Sequence, residues 1–109
     1  MQRISLEALA RQQIELAASH GGRAADTVVG GHERVLRQTV VGLIAGSVLS
    51  EHKNPGEASV YVLCGRVRMD SGDASWEGRT GDLLKVPNAR HSLEALEDSA
   101  VLLTVAKLP

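Results

Sequence analysis

The sequence predicts an all-β fold, a sandwich or closed barrel, that carries one N-terminal α-helix. Three observations lead there. From Thr27 onward Val, Leu and Thr dominate, and Gly, Asn, Asp and Pro break the chain at short intervals. The first twenty residues differ, with apolar positions recurring at helical spacing. At 109 residues and 43% apolar, the chain can bury about two-thirds of its surface, enough for one core and not for two.

The helix is read first. Ser5 can cap it, Glu7 sits in its first turn, and Leu6, Leu9, Ala10, Ile14 and Ala17 form one stripe. Arg3, Arg11, Gln12, Gln13 and Glu15 supply much of the other face, and His20-Gly21-Gly22 ends it, since glycine is favoured just past a helix. Residues 23–26 read as a linker, which divides the chain into 1–26 (helix and linker) and 27–109 (one β domain). Strands are expected near 27–29, 33–41, 43–50, 58–64, 66–70, 74–77, 82–86, 91–95 and 100–107. Asn54-Pro55-Gly56 breaks the chain, because proline fixes φ and removes a donor while glycine admits φ > 0. Asp70-Ser71-Gly72-Asp73 and Arg79-Thr80-Gly81 close hairpins, and Glu97-Asp98-Ser99 precedes the last strand. That strand, Ala100 to Ala106, is apolar on both faces, so both must be covered. Either the helix lies over it or a second copy of the chain does, and a homodimer is the expectation.

Composition removes several function classes. Twelve basic and thirteen acidic side chains give a net charge of −1, with no cluster of cations, so nucleic acid is not the expected ligand. One helix of about 14 residues is too little for a helix-turn-helix module. No apolar run approaches the roughly 20 residues that span a bilayer, and Met1 to Ser5 lack the apolar core of a secretory signal. The expectation is a soluble cytoplasmic protein with no membrane partner. A single cysteine, Cys64, excludes an internal disulfide and a cysteine-based metal cluster.

Two segments carry most of the remaining information, Gly46 to Gly65 and Gly81 to His91. Across about residues 35 to 107 the chain resembles the cupin superfamily, in particular its small single-domain members. The family's first motif opens and closes on glycines and holds a His-any-His pair and a glutamate. Its second holds a glycine, a proline, a histidine and a closing asparagine. Gly46, His52 and Gly65 answer to the first; Gly81, Pro87 and His91 answer to the second. The resemblance implies a double-stranded β-helix, or jelly-roll barrel, over 27–109, and a site in the barrel at His52 and His91.

The departures bear on chemistry. The second histidine of the pair is Asn54, the glutamate falls on Ala58, the closing asparagine on Ala95, and the glycine after Pro87 on Ala89. Of the family's three-His-one-Glu metal set, His52 and His91 are retained by position. A firmly held catalytic metal needs about three protein ligands. Glu57 lies one residue before the glutamate position, which on a regular strand reverses its direction, although the turn before it need not preserve parity. Asn54 can offer a weak amide oxygen. One divalent transition metal (Fe, Mn, Ni, Cu or Zn) on His52, His91 and Glu57 or Asn54 stands beside a metal-free site. His20 and His32 have no partner spacing and read as surface residues.

Alternation sets the expected pocket. With His52 inward, Val48 and Ser50 share its face; Val60 and Val62 continue the wall; Leu93 flanks His91. Gln38 or Arg37 adds a polar contact. Such a wall suits a small, partly apolar molecule. With one Trp, one Tyr and no Phe, aromatic stacking platforms are scarce, and Trp76 reads as hairpin packing. Two functions compete: a small-molecule binding barrel in a sensing or regulatory role, and a metal-dependent dioxygenase or isomerase using His52, His91 and a carboxylate or water.

Overall fold

The computed structural model describes residues 2–50 and 56–107. Helix α1 (Leu6–Ser19) begins at Ser5, whose Oγ accepts from the Ala8 N–H, and ends where the Gly22 N–H reaches the Ala17 carbonyl at 2.8 Å. Nine strands follow: β1 (Arg23–Val29), β2 (Leu36–Leu43), β3 (Val48–Leu49), β4 (Gly56–Cys64), β5 (Arg66–Ser71), β6 (Ala74–Arg79), β7 (Leu83–Lys85), β8 (Ser92–Ala95) and β9 (Ser99–Lys107). They form two antiparallel sheets, ordered β1-β2-β9-β4-β7 and β3-β8-β5-β6. This is the jelly-roll arrangement with one helix outside it.

The core lies between the sheets. Val41 and Leu43 of β2 and Val60 and Val62 of β4 face Val67 and Met69 of β5. Alternation along each strand sends the intervening residues outward. Trp76 of β6 packs against this cluster, as its place in the hairpin suggests. At Gly65, between β4 and β5, φ is +97°, and a Cβ would press on Ser99, whose Oγ accepts from the Arg66 N–H. A glycine is needed there to join the two sheets.

Helix α1 packs on the outer face of the five-stranded sheet, against β1, β2 and β9. Its buried residues are Ala10, Gln13 and Ala17, and its backbone at Gln13 and Ile14 sits directly on Gly42. Ala100, the register partner of Gly42 on β9, is fully buried. On the doubly apolar last strand the core takes Val101 and α1 shelters the end at Ala100, while Leu102 on the outer face is half-buried.

Element boundaries differ from expectation chiefly in the first three strands. β1 starts at Arg23, inside the stretch read as a linker, because Arg23 to Thr27 pair residue by residue with Leu43 to Thr39. β2 continues to Leu43, and the break falls at Ile44–Ser47, where the Ser47 N–H donates to the Ile44 carbonyl. The expected strand 43–50 shrinks to Val48–Leu49. Among the described residues, no helix is long and apolar enough to cross a membrane.

Candidate functional site

Between the sheets, Val60, Met69, Val86 and Leu93 enclose an apolar pocket of about 100 Å³ with His91 in its wall. Leu49, Ser50 and Leu103 belong to this pocket and also to a wider mouth of about 510 Å³. The mouth's other walls are the inner faces of β1 and β2, with Arg23, Thr27, Arg37 and Thr39 as polar residues and Ala25 and Val41 as apolar ones. Thr27 and Thr39 are cross-strand partners whose hydroxyls lie 3.0 Å apart. Among the described residues, the lining of both spaces contains two arginines, one imidazole and no carboxylate.

His91 is partly buried immediately before β8, and its Nδ1 lies 2.9 Å from the Ala89 carbonyl oxygen. A carbonyl only accepts, so the neutral ring carries its proton on Nδ1 and leaves the Nε2 lone pair unprotonated. That is the form in which an imidazole accepts a ligand's proton or coordinates a metal.

Solved structures place the fold. A conserved protein of unknown function from Streptococcus pyogenes superposes with a TM-score of 0.76 at 22% identity, over 99% of this chain and 89% of that one. An RmlC-like cupin protein from Desulfovibrio desulfuricans gives 0.69 at 26% identity, over 79% and 83%. The chain has the fold of the small cupins. A salicylate 1,2-dioxygenase from Pseudaminobacter salicylatoxidans gives 0.77 at 20% identity, and there 96% of this chain covers 34% of the larger protein. No family model matches the sequence, and no curated protein matches it.

The fold brings some of the expected site residues together and separates others. Ser50, Val60, His91 and Leu93 line the inner pocket. Val62 lies deeper, fully buried in the core. Gln38 faces the other way: it shares the outer face of β2 with Val40, and its Nε2 donates to Thr104 Oγ1 at 3.1 Å. Arg37, its neighbour, takes the inner face instead. Val48 is 41% exposed, because β3 pairs Val48 with Glu94 on the outer side and turns Leu49 inward. His52 and Asn54 lie outside the described residues.

Glu57 is corrected by parity. β4 begins at Gly56, so regular alternation already holds at Glu57, which is exposed and opposite in direction to Val60. The family's glutamate position, Ala58, shares Val60's direction and has no donor. Ser92 pairs with Asp70 on the outer side, whereas His91 shares the direction of Leu93 and Ala95. His20 is exposed at the end of α1, with Nδ1 2.8 Å from the Leu16 carbonyl, and His32 is exposed beyond β1.

Among the described residues, no group of three or more His, Cys, Asp or Glu side chains could hold a metal ion. His91 is the one such donor lining the inner pocket. With His52 added the set reaches two imidazoles, short of the three ligands a firm site requires. The described residues by themselves do not supply the family's metal set. Leu49, Met69, Val86 and Leu103 were not anticipated as lining. Met69 was within reach of sequence reasoning, since Val67 and Met69 alternate with charged residues along 66–70.

Proposed function

We propose that this cupin binds a small, partly apolar molecule in its barrel, in a sensing or regulatory role in the cytoplasm. The observation that carries the reading is the continuity of the apolar inner pocket with the larger mouth through Leu49, Ser50 and Leu103. A wall of aliphatic side chains with a few convergent polar groups supports binding of a small ligand held by few polar contacts. The test is a fragment set followed by backbone and imidazole NMR shifts. Perturbations concentrated on Ser50, His91, Leu93 and Leu103 support the proposal; an absence of saturable shifts at these residues refutes it.

A second reading, a metal-dependent dioxygenase or isomerase, is favoured by one observation, the unprotonated Nε2 that the Ala89 carbonyl leaves on His91. Elemental analysis of untagged protein separates the two. Stoichiometric Fe, Mn, Ni, Cu or Zn that disappears in a His52→Ala/His91→Ala double variant supports the enzyme. Metal-free protein, with the double variant still folded, supports the binding barrel.

A homodimer is supported by the part of the five-stranded sheet beyond α1. There Tyr61 and Leu83, register partners on β4 and β7, are 39% and 62% exposed on the outer face. Sedimentation at micromolar concentration tests it: a species of 23 kDa is expected from two 11.6 kDa chains, and a monomer alone rejects it.

A further inference from the structure

The mouth of the barrel holds a cation without a counter-charge among the described residues. Arg37 projects from the inner face of β2 into the cavity, where it is partly buried. No described residue forms a hydrogen bond or ion pair with its side chain. Other arginines resolve their charge differently. Arg11, Arg66 and Arg68 pair with carboxylates, at 3.2 Å to Glu7, 3.0 Å to Glu77 and 2.7 Å to Glu94. Arg3, Arg34, Arg79 and Arg90, which have no ion pair to a described residue, are exposed to water. Arg23, also at the mouth, is exposed, and its Nη1 donates to the Val48 carbonyl at 3.3 Å. Arg37 alone among the described arginines combines partial burial with no partner.

A partly desolvated cation lacking a partner is unfavourable until an anion reaches it. Among the described residues the cavity lining has no carboxylate to serve, although the chain as a whole carries a net charge of −1. We infer that the barrel binds a small monocarboxylate, its anionic end on the Arg37 guanidinium and its apolar body directed toward Leu49 and Leu103. The inference rests on the proposed small-molecule site and names its ligand class. A planar guanidinium fork matches a carboxylate's two oxygens, and the hydroxyls of Thr27 and Thr39 line the same mouth. The apolar floor beyond selects the hydrocarbon part. Arg37 is the guanidinium whose donors are unengaged, and its one fork matches the two oxygens of a single carboxylate.

The experiment titrates the full chain with butyrate through octanoate and benzoate, each beside its uncharged primary amide, followed by NMR at Ser50, Leu103 and the arginine Nε–H groups. Carboxylates are expected to bind at least tenfold more tightly than their amides, in line with a hydrogen bond to a charged group. Affinity should rise roughly fourfold for each added methylene until the cavity is filled. Arg37→Gln should remove the preference for carboxylate and leave amide binding unchanged; Arg37→Lys, which keeps charge and loses the fork, should fall between. Arg37→Gln breaks no hydrogen bond or ion pair to a described residue, and far-ultraviolet circular dichroism checks that the variant folds. Equal binding of acid and amide, unmoved in Arg37→Gln, overturns the carboxylate assignment while the cavity reading stands. Binding of neither overturns both. Tighter binding of methyl phosphate than of any carboxylate overturns the choice of anion.

Discussion

Replacing Gly42 by alanine sets two physical effects against each other, and the sign of the result decides between them. Gly42 sits mid-strand in β2, and its φ is not in the positive region. Chain entropy alone therefore makes alanine stabilising, by about 0.4–1 kcal/mol. The packing says otherwise. A Cβ at this position would lie 2.7 Å from the Ile14 backbone nitrogen and closer still to the carbonyl carbon and oxygen of Gln13. All three are backbone atoms of α1, so no side chain can swing aside, and the helix must lift as a body. Lifting it loosens Ala10 and Ala17, now 3% and 0% exposed. Overpacking costs about 1–3 kcal/mol, and rigid neighbours put this case at the upper end; less the entropy gain, about 2 kcal/mol of destabilisation remains. For a chain of this size that lowers Tm by roughly 8–16 °C. Urea and thermal unfolding followed by far-ultraviolet circular dichroism and by Trp76 fluorescence measure it from both sheets. A Gly42→Ala variant as stable as the parent, or more so, would refute the docking of α1 through this contact.

Three further outcomes are expected. Met69→Ala, at a residue 1% exposed between core and pocket, should cost about 2–5 kcal/mol by urea unfolding and admit bulkier ligands; unchanged stability would place Met69 outside the core. Nitrogen NMR of the neutral His91 ring should find the proton on Nδ1, and a proton on Nε2 would contradict the bond to Ala89. A hydrogen bond from Ser75 and then the neighbouring Arg68 hold the Asp70 carboxyl below its ordinary 3.8. Its folded-state pKa is thus depressed, so its contribution to stability is present above 3.8 and is lost as pH falls through the lower folded value. In an acid titration of Tm, Asp70→Asn should flatten that limb, and an unchanged slope would count against the interaction.

The helix, the number of strands and most turns were legible in the chain because their causes are local. Ser5 caps α1 as its type and position suggest, and Gly65 occupies a turn that only positive φ closes easily. Side-chain direction was less legible, because it follows from where each strand begins. Gln38 and Arg37 differ by one position, and the one assigned to the pocket faces out while its neighbour faces in. Val48 fails for a related reason: β3 is only two residues long, so alternation cannot be carried through it to the residues that follow. Glu57 lost its expected role once β4 was seen to start at Gly56.

The amino-acid order by itself determined the kind of elements and their succession, because periodicity, capping and turn chemistry act over a few neighbouring residues. Only the folded chain decided which residues share an interior. Pairing of β2 with β9, and of β9 with β4, brings Arg37 and Thr39 to the same face as Leu103 and Val60. A shift of one residue in any of those registers would exchange inside for outside. The placement of Arg37 at the mouth and an imidazole farther in is a property of those registers, set by long-range pairing rather than by local sequence.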